Sequence, residues 1–324
     1  MESVHSSLQE RGLAASSSPA TDSFPTYPAH QNFRFGGVAV ELRGVSWEDV
    51  HGETELSAFR SDTSSNDEVD IEVDVRWVDE LSECGADKTF DSGAIWRVFD
   101  TGDGFVIEFS SPLLGRTPYK RVRVSHDFSH AKVMLSRAAR ERCGKISPLE
   151  YPACELLITN YLAHHSLGVE VHGCGLIDPE TGGQLFLGHS GAGKSTTARL
   201  WEKLRAPEIL SDDRIILRLH DGELWMYGTP WHGEAAFASP AKIRLDRIHI
   251  LRHGAENKFS WLPQARAVGE VFARSFPPFH SAIGVEKSID FIKRALDVVP
   301  CYEFEFLPDS SSLDAVLEEH DHDQ

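Results

Sequence analysis

The chain has 324 residues, 41% hydrophobic and 25% charged, a globular composition that excludes a mostly disordered or collagen-like protein and leaves room for two ordinary domains. With 32 basic against 50 acidic residues the formal charge is −18, which opposes binding to a phosphate backbone and sets nucleic acid aside as a partner. No apolar run reaches the roughly 18 residues of a membrane helix, and the N-terminus lacks the apolar stretch of a signal peptide. Five cysteines without a CxxC pair fit reduced thiols, so neither membrane association nor structural zinc is expected, and the location is expected to be cytoplasmic.

Residues 1–32, rich in Ser, Ala, Pro and Thr without an apolar period, are expected to form a disordered tail. From Phe33 short alternating runs begin. In Val69–Trp77 the apolar Val69, Ile71, Val73, Val75 and Trp77 alternate with Asp70, Glu72, Asp74 and Arg76, the pattern of a strand with one wet face. Further runs at Val38–Leu42, Ile95–Phe99, Phe105–Phe109, Arg121–Val124 and Lys132–Leu135, with a hairpin turn at Asp100–Gly104, predict a β-rich N-terminal domain over 33–140. Between positions 44 and 108 stand 18 acidic against 4 basic residues, a solvated acidic face or a docking face for a basic partner.

The texture changes at Ser147-Pro148, which reads as an N-cap followed by proline at the first helical position, with helical apolar spacing from Leu149 to Leu162. Buried strands then alternate with helices: strands at Gly168–Ile177, Leu185–Leu187, Ile209–Leu210 and Arg214–Leu219, and a helix at Lys194–Leu204. Helices are expected again at Ala265–Arg274 and Glu286–Val298, with a last strand at Tyr302–Leu307. The fold class is therefore α/β, with a second domain over 148–308 and an acidic C-terminal tail over 309–324.

Gly188-His189-Ser190-Gly191-Ala192-Gly193-Lys194-Ser195 completes G-x-x-x-x-G-K-[ST] between an apolar strand and a helix beginning with Thr196, the context the motif requires. Glycines let successive amides of Gly188, Ser190, Gly191, Ala192, Gly193 and Thr196 turn towards phosphate, and the helix N-terminus favours negative charge. Lys194 is expected on the β- and γ-phosphates of a nucleotide and the Ser195 hydroxyl in the shell of Mg²⁺. About twenty residues on, Leu210-Ser211-Asp212-Asp213 sets two carboxylates between apolar strands. Phosphoryl transfer needs oxygen ligands for the metal and a group to orient or deprotonate the acceptor hydroxyl, and the pair could divide those roles in either order. His172, inside a strand-like run, and Glu234, in Thr229-Pro230-Trp231-His232-Gly233-Glu234, read either as structural groups or as members of the same site.

Taken in order, His172-Gly173, the loop Gly188–Ser195 and Asp212-Asp213 resemble the catalytic domain of HPr kinase/phosphorylase and its HPr kinase-like relatives, which share a fold and nucleotide-site design with the ATP-dependent phosphoenolpyruvate carboxykinases. The resemblance spans roughly residues 148–308. It implies ATP and Mg²⁺ as cofactors, a metal contact and a base from Asp212 and Asp213, His172 near the transferred phosphate, and Glu234 as a metal-side carboxylate. It also implies a P-loop kinase acting on a serine-like hydroxyl of a protein, peptide or metabolite, and assembly as a homo-oligomer. The chain departs from the family at Thr196, where HPr kinases carry glutamate, in lacking the glycine-flanked Glu-Arg signature of the phosphate-removing reaction, and in its first domain. Acceptor identity and the reverse activity therefore do not carry over; the N-terminal domain is expected to take part in acceptor recognition. A non-catalytic ATP-gated binding module and a phosphoenolpyruvate carboxykinase are the competing readings.

Overall fold

The computed structural model describes residues 30–44, 54–61, 68–115 and 117–322. The tail expected at 1–32 lies outside them except for residues 30–32, which belong to the first strand. The fold is mixed α/β, two large sheets with few helices.

The first sheet has eight strands: β1 (His30–Phe35), β2 (Val38–Arg43), β3 (Ile71–Val78), β4 (Asp87–Asp91), β5 (Trp96–Asp100), β6 (Phe105–Phe109), β7 (Lys120–Val124) and β8 (His130–Ser136). Their order is β1-β2-β3-β8-β7-β6-β5-β4, parallel at β2–β3 and β3–β8 and antiparallel elsewhere. Strand β3 shows how the alternation becomes structure: Ile71, Val73 and Val75 are buried while Glu72 and Asp74 stay partly wet. A helical turn α1 (Thr54–Ser57) lies between β2 and β3 and leads to Phe59, buried with Phe35.

Helices α2 (Arg137–Cys143) and α3 (Ala153–His164) connect to the second sheet. The helix expected to open at Pro148 begins instead after Pro152. A proline four residues into a helix started at 148 would lack the amide needed for the bond back to residue 148 and would clash with that carbonyl, so Pro152 sets the boundary.

The second sheet comprises β9 (Gly168–Asp178), β10 (Gly182–Leu187), β11 (Glu208–Ser211), β12 (Arg214–His220), β13 (Glu223–Tyr227), β14 (Lys242–His253), β15 (Lys258–Trp261) and β16 (Cys301–Phe306). The order is β10-β9-β12-β13-β14-β16-β15, with β11 on β9; β10 also pairs in parallel with β14, so β10, β9, β12, β13 and β14 form a closed circuit. Helix α4 (Lys194–Arg205) follows β10, and α5 (Gln264–Phe272) and α6 (Ala282–Ala295) precede β16. The segment expected as an acidic tail is helical over most of its length: α7 (Ser311–His322) buries Leu313 and Val316 beside Trp201, Phe304 and Phe306. Its acidic residues concealed a short apolar face.

The largest core does not stop at either sheet. Phe35, Val73 and Val133 of the first sheet share it with Leu149, Leu157, Ile158 and Leu162 around α3 and with Ile216, Tyr227 and Trp231 beyond it. Nearly every residue of α3 is buried, as expected of a helix apolar all round and enclosed on its sides. Residues 145–324 expressed alone would leave half of α3 bare and are expected to aggregate or to lose cooperative unfolding, which gel filtration and a thermal melt would show; a soluble, sharply melting fragment would contradict the shared core.

Strand β14 carries a second consequence. His249 is fully buried, stacked on Phe186 at 4.8 Å, with Nε2 donating to Gln184 Oε1 at 2.8 Å. Burial, reinforced by the charge of Arg247, pushes its pKa down to about 3. A depressed pKa contributes stability that is complete above the unfolded value and is lost as pH falls towards the folded one. Between about pH 6 and 4 this residue is expected to cost up to about 1.4 kcal/mol per pH unit, and His249→Gln should flatten that acid slope in urea titrations; identical slopes would exclude His249 as the cause.

Candidate functional site

The loop between β10 and α4 sits at the end of the closed circuit, where β10 is paired on both sides. Gly193 adopts φ 104° at the helix N-cap, and a Cβ there would lie 2.4 Å from the Phe306 ring, so only glycine fits. The first amides of α4 have no intrahelical acceptor and face the loop. His189, Ser190, Gly191 and Thr196 are exposed, whereas Gly188 and Lys194 are buried.

Lys194 is 6% exposed and folds back, its Nζ donating to the carbonyls of Gly188 at 2.9 Å and His189 at 3.1 Å. Burial holds its pKa below the usual lysine range, against the pull of Asp213. Beside the loop, Arg274 and Arg252 are tied to Glu270, and the Arg274 charge, ahead of burial and of Arg252, depresses the His189 imidazole. Arg252 is also paired with Glu303, so both arginines are answered by carboxylates beside the loop.

The two aspartates are held in different ways. Asp212 is 1% exposed and accepts from Ser195 Oγ at 3.2 Å and from the amides of Gly233 at 2.9 Å and Ala235 at 3.0 Å. A Cβ at Gly233 would come 2.7 Å from Asp212 Oδ2, so the 233–235 loop wraps the carboxylate with backbone. Glu234, between those amides, is exposed. Asp213 instead meets His172 Nε2 at 2.8 Å through Oδ1 and Arg214 through Oδ2. Burial favours its neutral form, but the His172 hydrogen bond and the charges of Arg214, His172 and Lys194 prevail and keep it below the usual carboxylate range. His172 is fixed through its backbone, its amide donating to Arg274 O at 2.6 Å and its carbonyl accepting from Gly188 N at 3.4 Å.

The structure therefore brings Lys194, Ser195, Asp212, Asp213 and His172 to one end of the second sheet, with Glu234 at its rim. Sequence reading missed the group behind them. Arg214 Nε donates to Glu155 Oε1 of α3 at 2.9 Å and lies 3.5 Å from Glu170 Oε1, and the guanidinium rests 4.0 Å from the Phe276 ring centroid. Burial disfavours its charge, but Glu170, Glu155 and Asp213 together raise its pKa. Glu170 is fully buried, and burial, then the neighbouring Glu155 charge, push its pKa well up. A proton held between the two glutamates accounts for the Glu170 oxygens that otherwise meet no donor. A carboxylate in the apolar run Val169-Glu170-Val171 was the available signal.

Arg214→Met is expected to cost about 3–5 kcal/mol, because it strands buried carboxylates without their cation. Glu170→Gln should cost much less than Arg214→Met, since burial and the Glu155 charge already disfavour the charge that the substitution removes. Urea unfolding of both variants checks the pair; an equally large loss in Glu170→Gln would mean that Glu170 is ionised.

No protein-family model and no curated protein matches the chain. Among solved structures, the Hpr(Ser) kinase/phosphatase from Coxiella burnetii aligns with 12% identity over 47% of this chain and 90% of that chain, with a TM-score of 0.27. The likeness is weak, and the residues of the site carry the functional reading.

Proposed function

We propose that the chain is an ATP- and Mg²⁺-dependent kinase of the HPr kinase-like type, whose P-loop domain transfers the γ-phosphate to a serine-like hydroxyl of a protein, peptide or small molecule. The observation that carries this reading is the convergence at one sheet end of a buried ammonium, a helix N-terminus, a hydroxyl and two carboxylates in unlike environments. The residues fit the nucleotide: Lys194 spends its donors on the carbonyls of its own loop, contacts that phosphate oxygens would outbid through charge-assisted bonds. Mg²⁺ commonly takes one or two protein oxygens and completes its shell with phosphate and water, which suits Ser195 and Asp212; among the described residues no three His, Cys, Asp or Glu side chains are grouped to hold a metal.

Bound Mg-ATP supplies the phosphoryl group and the cation that offsets its charge. Lys194 and the loop amides would bind the phosphates. Asp212, immobilised by two amides, would hold Ser195 and the metal side of the site. Asp213 is ionised at neutral pH and, because its pKa is low, is suited to orienting the acceptor hydroxyl and receiving its proton late, when the hydroxyl has become acidic in the transition state. His172 positions Asp213. Glu234, exposed beside Asp212, would be a further carboxylate on the metal side. The first sheet, joined to this end of the molecule through α3, would contribute to choosing the acceptor.

Lys194→Ala is expected to weaken Mg-ATP binding about ten- to a hundredfold, as loss of one charge-assisted contact does, and Asp213→Asn to retain binding while abolishing phosphorylated product. Calorimetry with Mg-ATP and labelling of host-extract fractions by γ-labelled ATP check both. Unchanged affinity in folded Lys194→Ala would refute the loop assignment. Tight binding with neither labelled acceptor nor ADP release would leave a nucleotide-gated binding module in place of a kinase.

A further inference from the structure

A cavity of about 820 Å³ opens where the β1–β2 turn meets the second sheet, at the far end of β12 from Asp213. That volume is within the range of small-molecule sites. Although the chain carries −18, the cavity wall gathers Arg34, Arg60, Arg218 and Lys242 against two carboxylates, Asp221 and Glu223. Glu223 is also in ion-pair range of Arg244, at 3.5 Å.

Flat aromatic surface stands beside these charges, most of it on Trp225, since Tyr227 is only 6% exposed. Trp225 and Tyr227 of β13 both line the cavity, with Lys242 Nζ 5.2 and 5.5 Å from their ring centroids and Arg218 Cζ 5.9 Å from that of Tyr227. Arg218 is 9% exposed and donates from Nη1 to Gly36 O at 3.1 Å, while its buried Nε has no acceptor. The turn can lie this close because Gly37, at φ 78°, has no Cβ; one would fall 2.6 Å from Arg218 Nη1. The Arg218 charge is thus nearly buried in the cavity wall, and an anion in the cavity would answer it. The local potential is visible in His220, which burial, then Arg218 and Lys242, hold below the usual imidazole range.

We propose that this cavity is a binding site for a small anionic molecule with a flat ring, a phosphate or carboxylate on an aromatic body, whose anion meets the arginines and Lys242 and whose ring lies on Trp225 and Tyr227. Arg218 stands four residues along β12 from Arg214, about 13 Å at the rise of a strand. A ligand here is therefore not the group phosphorylated at the Asp213 end. It would fasten the β1–β2 turn to the second sheet, and the proposal stands or falls independently of the kinase reading.

Phenyl phosphate is the probe, with phenol and inorganic phosphate as its halves, titrated calorimetrically into the full chain. Phenyl phosphate is expected to bind at least about tenfold more tightly than either half, and exposed Lys242→Glu to weaken it about tenfold or more. Because Arg218→Ala could disturb folding, Arg60→Glu serves as the second variant at an exposed position. Binding should persist in Lys194→Ala, which disables the glycine loop. No binding at millimolar phenyl phosphate, equal affinity for inorganic phosphate, indifference to both charge reversals, or loss in Lys194→Ala alone would each overturn the proposal.

Discussion

Arg214 is where the helix, the sheet and the site meet. It is a mostly buried cation that touches Glu155 from α3, approaches Glu170 from β9, binds Asp213 at the head of its own strand and lies on the face of Phe276. An arginine so placed is tolerable only if its charge is answered, and the carboxylates only if one proton stays among them. The orientation of Asp213 is thus fixed from behind, by packing that reaches into the shared core, as well as from the side by His172. A carboxylate held by two partners of unlike chemistry has little rotational freedom.

The neighbouring aspartates show how strongly local geometry separates chemically identical side chains. Asp212 is enclosed by amides of the 233–235 loop and by Ser195, whereas Asp213 faces two side chains that can carry positive charge. In the sequence the two are interchangeable. Both lie in the bend between β11, which ends at Ser211, and β12, which begins at Arg214, and it is the groups packed around that bend that divide them.

Much of this was legible beforehand. The glycine loop, its strand and its helix were evident because glycines between an apolar run and a helical one mark a tight strand-to-helix turn, and the wet-faced strand β3 because alternation maps directly onto a pleat. Strand β14 was invisible: Lys242, Arg244, Asp246, Arg247 and Arg252 interrupt its apolar residues, and its burial comes from parallel pairing with β10 and β16, partners distant in sequence. The start of α3 was misplaced because an inviting N-cap at Ser147 outweighed Pro152. Arg214 escaped notice because what makes it important, two glutamates from other elements, exists only once the chain is folded.

Helix α3 has one more implication, for how such a molecule could be recombined. It packs on α6 and β9 on one side and shares the first sheet's core on the other, so it belongs by burial to both. A cut between the sheets at residue 140 would separate the helix from half of its partners. Exchanging the first sheet for another domain would demand a replacement that reproduces the complementary surface of α3, and since Glu155 projects from that helix, a poorly matched graft would be felt at Asp213 through Arg214 before it was felt anywhere on the surface.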